Sequence, residues 1–112
     1  MYCVIFKHVY SNSGENILHT NGTKVYYCKK KKLALAYMKR RFDSLVKKYN
    51  KMDGRISSNM FKNDMATLEY RKTTNKDLVP TYDIMEEYHG FAFKIVRMQE
   101  ILDSKNGPAL KV

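Results

Sequence analysis

The sequence predicts an α+β domain in which one antiparallel β-sheet is covered on one face by a single long amphipathic helix. Segments in which apolar residues alternate, typical of strands, lie on both sides of one segment with helical spacing. The order strand, helix, strand does not recur along the chain, which argues against a parallel, doubly wound sheet. The face of the sheet away from the helix is therefore expected to be exposed or to contact a partner.

The chain is long enough for one domain and too short for two. Its 112 residues are 44% hydrophobic, so a core can form despite a net charge of +10. We expect the domain to span residues 1–102 and the remaining residues, 103–112, to be frayed. No segment has the features of a secretion signal or a membrane span, which predicts a cytoplasmic protein without a membrane partner.

The first quarter of the chain is predicted to form strands. The segment Tyr2–Tyr10 alternates and is rich in aromatic and β-branched residues, which indicates a largely buried strand. A hairpin is predicted next, because Asn21-Gly22 lies between the runs Asn16–Thr20 and Thr23–Cys28. A two-residue type I′ turn requires positive φ at both central positions, and Asn-Gly meets that requirement.

From about Lys31 to Lys51 the apolar residues follow the period of a helix. Those that fall within an arc of about 100° are expected to face the sheet, and they are Leu35, Met38, Phe42, Leu45, Val46 and Tyr49. The opposite side carries Tyr37 and mostly basic residues, namely Arg40, Ser44, Lys47, Lys48 and Lys51. Asp53-Gly54 is predicted to end the helix.

A loop is predicted from about Asp53 to Asn63, because this segment contains Gly, Ser and Asn. Alternation then resumes at Ala66, Leu68 and Tyr70, which predicts a strand with one solvated face.

The last part of the domain is predicted to begin with a turn at Thr73–Asp77. Pro80 restricts the following run, Tyr82–Met85, to an edge strand or the start of a strand. One turn of helix over Asp83–Tyr88 is the alternative. The segment Phe91–Met98 alternates again and predicts the final strand.

The charge of the chain is concentrated in one quarter of its length. Between Lys24 and Lys51 there are eleven basic residues and one acidic residue, Asp43, whereas the rest of the chain has ten of each. A chain that was merely rich in lysine would spread its excess, so this concentration favours an anionic partner over a plain solvated helix face. A stripe of cations can follow a phosphate backbone. The candidate contacts are Lys29, Lys30, Lys31, Lys32, Lys39, Arg40, Arg41, Lys47, Lys48 and Lys51.

Aromatic and apolar residues near this charge are candidate contacts as well. Tyr26 and Tyr27 are adjacent in a predicted strand, so one of them is expected in the core and the other on the surface. Tyr26 and Tyr37 could stack on bases, although a half-exposed structural tyrosine is the alternative. Met60 and Phe61 lie in the predicted polar loop, where they are either partner contacts or core residues.

Enzyme and metal motifs are absent from the sequence. His8, His19 and His89 belong to three different elements and have no metal-ligand spacing, so no metal is expected. Gly-rich phosphate loops, nucleophile elbows and paired carboxylates are also missing, and no cofactor is expected. Cys3 and Cys28 lack a CxxC or Cys/His context and are expected to be buried free cysteines.

The alternative to a binding protein is a metal-independent ribonuclease of the RelE-like toxin type. That chemistry needs a basic α+β domain with a few side chains that align the 2′-hydroxyl and stabilise the cleaving phosphate. The residues proposed for it are Arg71, His89, Lys94 and Arg97. The chain lacks the early helical hairpin and the basic final strand that are associated with this family.

The layout of the chain resembles that of small accessory proteins of bacteriophages and other mobile elements. It consists of the N-terminal strand M-Y-C-V-I-F, the Asn-Gly hairpin, the helix K-K-K-K-L-A-L-A-Y-M-K-R-R-F and the strand-rich end G-F-A-F-K-I-V-R-M, with no enzyme motif. The resemblance implies a binding function in the host cytoplasm, including inhibition of host defence systems such as CRISPR effectors or nucleotide signalling. Since the chain is basic, mimicry of DNA is not expected.

These observations lead to one main hypothesis. The chain is expected to be a small non-enzymatic binding protein whose basic helix face engages nucleic acid or an acidic protein surface. A host defence protein and an anionic nucleotide are the more specific partners that the resemblance implies.

Overall fold

The structure is a computed structural model that describes residues 1–12, 17–74 and 84–98. Five strands and one helix lie in these ranges, namely β1 (Tyr2–Ser11), β2 (His19–Cys28), α1 (Lys31–Asn50), β3 (Arg55–Lys62), β4 (Met65–Thr74) and β5 (Ile84–Arg97). The predicted frayed segment, 103–112, lies outside the described residues, as do Pro80 and residues 75–77 of the predicted turn, whereas Thr73 and Thr74 of that turn belong to β4 instead.

The five strands form one sheet in the order β2-β1-β5-β4-β3, and every neighbouring pair is antiparallel. The predicted α+β fold, with one antiparallel sheet and one long helix packed on it, is confirmed. The last strand, β5, occupies the centre of the sheet between β1 and β4. Its start at Ile84 shows that the alternative of a helical turn over residues 83–88 is wrong for the described part of that segment.

The core lies between α1 and the sheet. Alternate residues of the three central strands face the helix, and α1 buries Ala34, Met38, Phe42 and Tyr49 against them. Leu35, Leu45 and Val46 are partly buried at the edges of this contact, so the predicted apolar arc of the helix is confirmed. The strand residues in the core are Val4, Phe6, Ala66, Leu68, Tyr70, Phe91, Phe93 and Ile95. Among the described residues, no helix has the length and apolarity that a bilayer span requires.

The Asn-Gly hairpin is not formed, and this prediction was wrong. Asn21 and Gly22 lie inside β2, where a shift of register places both of them opposite His8 of β1. Gly22 has a φ of +82°, so the positive φ for which the dipeptide is suited occurs in a β-bulge instead of a turn. The connection between β1 and β2 falls earlier, between Ser11 and His19.

The prediction of a loop from about Asp53 to Asn63 was wrong, because this segment contains the whole edge strand β3, which pairs with β4. Its side chains are exposed apart from a half-buried Ile56, so the strand lacks the apolar alternation that would have identified it. Asn63 and Asp64 connect β3 to β4, and Asn63 has a φ of +50°. The predicted alternation of β4 is confirmed, with Ala66, Leu68 and Tyr70 buried.

Candidate nucleic-acid interface

All ten basic residues assigned to an anionic partner are exposed. Seven of them lie on α1, while Lys29 and Lys30 precede it and Lys51 follows it. The helix has one acidic residue, Asp43, whose carboxylate lies 3.3 Å from the ammonium group of Lys39. This pair is exposed and therefore contributes little to stability. The surface keeps most of its positive charge.

The start of α1 has basic residues where acidic ones would stabilise it. Lys30 is the N-cap residue and makes no side-chain capping hydrogen bond, and the first turn has no acidic residue but begins with Lys31 and Lys32. Cations near a helix N-terminus interact unfavourably with the helix dipole. Ser or Asp as the N-cap residue would increase the stability of the helix by about 1 kcal/mol. The start of α1 therefore departs from the residue preferences that stabilise helix N-termini. Such departures are typical of segments whose charge serves a function.

The end of α1 differs, because Lys47 and Lys48 in the last turn are favoured by the helix dipole. The ammonium group of Lys48 lies 5.4 Å from the centre of the Tyr49 ring. The two ends of the helix therefore both carry exposed positive charge, although only the second is stabilised by it.

Lys39 lies on the side of α1 that faces β3. Its ammonium group is 5.3 Å from the centre of the Phe61 ring, and that ring packs edge-on against Phe42 at 5.4 Å. Phe61 is thus on the helix side of the sheet, whereas its neighbour Met60 points to the opposite side because side chains alternate along a strand. The structure does not bring Met60 and Phe61 into one contact patch.

Tyr37 lies on the other side of the helix and faces β2. Its ring is 4.8 Å from that of Tyr26, and the Arg40 guanidinium group lies 5.5 Å from the Tyr37 ring. Burial, followed by a hydrogen bond with Tyr26, raises the pKa of Tyr37. The two tyrosines are half-buried and pack against each other, whereas Tyr27 is 46% exposed on the opposite face of the sheet.

A histidine cluster that the sequence did not predict lies beside this surface. His8 of β1 and His89 of β5 pair across adjacent strands, with Nε2 of His8 2.9 Å from Nδ1 of His89. The other nitrogen of His89 lies 2.6 Å from a carboxylate oxygen of Glu87, and Nδ1 of His8 lies 2.7 Å from the amide nitrogen of Asn21. Four side chains therefore form one chain of hydrogen bonds.

The amide of Asn21 fixes the direction of this chain. Because the amide N–H donates to Nδ1 of His8, that ring carries its proton on Nε2 and donates it to Nδ1 of His89. His89 then carries its proton on Nε2 and donates to Glu87. Burial lowers the pKa of His8, and electrostatic interactions with His89, Lys48 and Lys24 lower it further, which agrees with a neutral imidazole.

Lys48 and Lys24 connect the histidine cluster to the cationic surface. Lys48 comes from the last turn of α1 and Lys24 from β2, and both act on His8 electrostatically. Lys24 is on the helix side of β2, because it is two residues from Tyr26, which contacts α1. The basic surface thus continues from the helix across to β2.

Aromatic rings surround the two histidines. His8 stacks on Phe91 with centroids 4.4 Å apart, and Tyr49 packs on His89 at 5.3 Å. His19 also lies at this end of the sheet, where it stacks on Tyr10 at 5.2 Å. The histidines are therefore closer than their sequence positions indicate, although no group of three metal-ligating side chains occurs among the described residues.

The two cysteines are free, as predicted. Cys3 is fully buried, and burial raises the pKa of its thiol, whereas Cys28 is only half-buried.

The residues proposed for a ribonuclease are not brought together. Arg71 lies on the sheet face away from α1 and pairs with Glu69 at 3.4 Å, while His89 lies on the helix side. Lys94 is again on the far face, and Arg97 is eight residues beyond His89 in the same strand. At about 3.3 Å per residue, that separation is about 26 Å. The four side chains therefore do not share one site.

Comparisons of this chain with models of protein families, with curated proteins and with solved structures find no match. A function for the chain therefore has to be inferred from the arrangement of its own side chains.

Proposed function

We propose that the chain is a non-enzymatic protein that binds nucleic acid through the exposed cations of α1 and its flanking residues. The observation that carries this proposal is the concentration of exposed positive charge on and around α1. The ten exposed basic residues in and around α1 are accompanied by a single acidic residue, Asp43, which is already paired with Lys39. Lys24 extends this surface onto β2.

The length of the surface favours a polymer over a small anion. Fifteen residues separate Lys32 from Lys47, which lie on the same side of the helix about 22 Å apart along its axis. A single nucleotide is too short to contact both ends, whereas a nucleic acid strand presents phosphates along the whole distance. The lysines at the helix start support the same conclusion, because these residues lower the stability of α1.

The inhibition of a host defence system, which the layout implies, would act through this same surface. A protein that covers a nucleic acid, or competes for it, withholds it from an effector that must read it. An acidic protein surface is the competing partner for the same cations, and the experiment below separates the two.

Charge reversal on the helix tests the proposal. The triple variant Arg40→Glu, Lys47→Glu and Lys51→Glu should lose most of its affinity for a 20-nucleotide RNA or DNA in a fluorescence anisotropy titration. Its circular dichroism should match that of the unmodified chain, because all three side chains are exposed.

A matched control exists on the other face of the sheet. Lys7→Glu, Lys62→Glu and Lys94→Glu reverse three exposed lysines there, and either triple lowers the net charge from +10 to +4. The control should lose much less affinity than the helix triple. Equal losses would show that net charge alone drives binding, and they would overturn the proposed interface.

Two further outcomes would also overturn the proposal. The first is failure to bind nucleic acid together with capture of an acidic protein from nuclease-treated lysate by the helix surface. The second is cleavage of single-stranded RNA in the presence of EDTA, which would support the ribonuclease instead.

A further inference from the structure

We propose that His8, Lys24 and Lys48 form a phosphate-binding subsite at which the His8 imidazole takes up a proton when a nucleic acid phosphate binds. This inference rests on the proposed function and deepens it, since it names one phosphate contact and predicts how pH regulates it.

The position of His8 supports a contact with a ligand. Three elements meet there. On β2, Lys24 is paired with Phe6, two residues before His8 on the same face of β1. On α1, the ammonium group of Lys48 lies 5.4 Å from the centre of the Tyr49 ring, which packs on His89 at 5.3 Å. The Nε2 atom of His8 is directed inward to His89, whereas Nδ1 meets the side chain of Asn21, which is exposed. Asn21 lies in the β-bulge of β2, so a polar atom that replaces its amide at Nδ1 can come from solvent.

The chemistry of Nδ1 favours an anion once the ring is protonated. In the free chain this nitrogen accepts a hydrogen bond from Asn21. After proton uptake it becomes a donor, so it no longer accepts from the Asn21 amide and instead suits a phosphate oxygen. Nε2 of His8 carries a proton in both states and stays directed at His89, while the Glu87 side chain lies at the far end of the chain of hydrogen bonds.

The groups around His8 define the charge that a phosphate would meet. On the elements packed against it, the titratable and charged groups are Tyr10 of β1, His19 and Lys24 of β2, Lys48 and Tyr49 of α1, Tyr70 and Lys72 of β4, and Glu87 and His89 of β5. Burial raises the pKa of Tyr49, so this ring stays neutral near pH 7. Lys24 and Lys48 are opposed by the carboxylate of Glu87, and Lys72 is paired with Asp53 at 3.6 Å, which leaves a net positive environment for a phosphate.

The direction of the pH effect follows from the charges. In the free chain, burial and the neighbouring cations lower the pKa of His8 from 6.5. A bound phosphate offsets the charges of Lys24 and Lys48 and favours the imidazolium, so binding raises that pKa and takes up a proton. Affinity should then increase as the pH falls through the range between the two pKa values. One linked proton gives at most about a tenfold change in affinity per pH unit.

The test is a set of anisotropy titrations with the same 20-nucleotide RNA at constant ionic strength between pH 5.5 and pH 8. The unmodified chain should bind more tightly at lower pH, and His8→Gln should remove most of that pH dependence while binding remains sensitive to salt. His19→Gln is the matched control, because His19 stacks on Tyr10 at the same end of the sheet. It should leave the pH dependence largely intact.

The NMR titration of His8 in the unmodified chain provides a second readout that needs no variant. Its pKa should rise when saturating RNA is added, and an unchanged or lower value would overturn the subsite even if His8→Gln failed to fold. Salt-dependent binding whose pH dependence survives in His8→Gln would overturn the subsite alone. Absence of salt-dependent binding at every pH would overturn the proposed function and the subsite together.

Discussion

Gly54 lies where the chain passes directly beside Tyr70 and Arg71. Its N–H donates a hydrogen bond to the Tyr70 hydroxyl at 2.8 Å. A Cβ at this position would lie 2.4 Å from the carbonyl oxygen of Arg71 and 2.6 Å from the Tyr70 hydroxyl. Real side chains do not tolerate such distances, so a backbone carbonyl would have to move.

Gly54→Ala should therefore lower the free energy of unfolding by about 1–3 kcal/mol, which is typical of an overpacked site. Tyr70→Phe keeps the ring and removes only the hydroxyl, and it should cost about 0.5–1.5 kcal/mol. Chemical denaturation of both variants measures these values. An alanine variant as stable as the unmodified chain would contradict the close approach described for Gly54.

The sequence indicated a special role for Gly54 but not its cause. Asp53-Gly54 was predicted to stop the helix, whereas α1 ends at Asn50 with Lys51 as its C-cap residue. The same is true of Asn21-Gly22, where the dipeptide predicted positive φ and the structure places that φ in a bulge. The type of a residue indicates which backbone conformation its position adopts. It does not indicate which neighbouring group requires that conformation.

At the scale of elements, α1 has an apolar face that is buried against the sheet and an N-terminus that lacks a side-chain cap. Lys30→Asp would place a capping carboxylate at the helix N-terminus and should raise the free energy of unfolding by about 1 kcal/mol. The same change removes one cation and adds an anion, so affinity for nucleic acid should fall. Thermal unfolding followed by circular dichroism and anisotropy titrations measure the two effects.

Lys30→Ala is the control for this prediction, because it removes the charge without adding a cap. It should reduce affinity less than Lys30→Asp does and bring no gain of similar size in stability. If Lys30→Asp were more stable and bound nucleic acid as tightly as before, the lysines at the helix start would not belong to the interface.

The elements differ in how well the sequence predicted them, for a physical reason. The helix and β4 each bury one face, so their apolar residues recur with the period of the element. The edge strand β3 is almost entirely exposed, and its stability comes from pairing with β4, which leaves no periodic pattern in the sequence. The concentration of charge on α1 could be predicted from the sequence, because counting charged residues requires no knowledge of how the strands pair.

At the scale of the whole molecule, the register of the sheet brings distant residues together. His8 and His89 are 81 residues apart in sequence and meet because β5 inserts between β1 and β4. Local patterns contain no information about that order of strands, so the histidine cluster could not be predicted. The same topology separates the residues proposed for a ribonuclease onto two faces and two ends of the sheet.

Among the described residues, the sheet is thus more strongly cationic on its helix side than on its far face. Its far face carries exposed apolar residues with scattered lysines, including Val25, Tyr27, Met60 and Met65. Charge therefore distinguishes the helix side of the domain from the other side.

The salt dependence of binding tests the central claim most directly. Release of counterions from about five neutralised phosphates on a DNA duplex should give a slope of about −4 to −5 when the logarithm of the association constant is plotted against that of the salt concentration. The helix triple variant should give a much shallower slope, and the triple on the far face should retain most of it. A slope near zero for the unmodified chain, or equal slopes for the helix triple and the unmodified chain, would contradict a nucleic acid interface on α1.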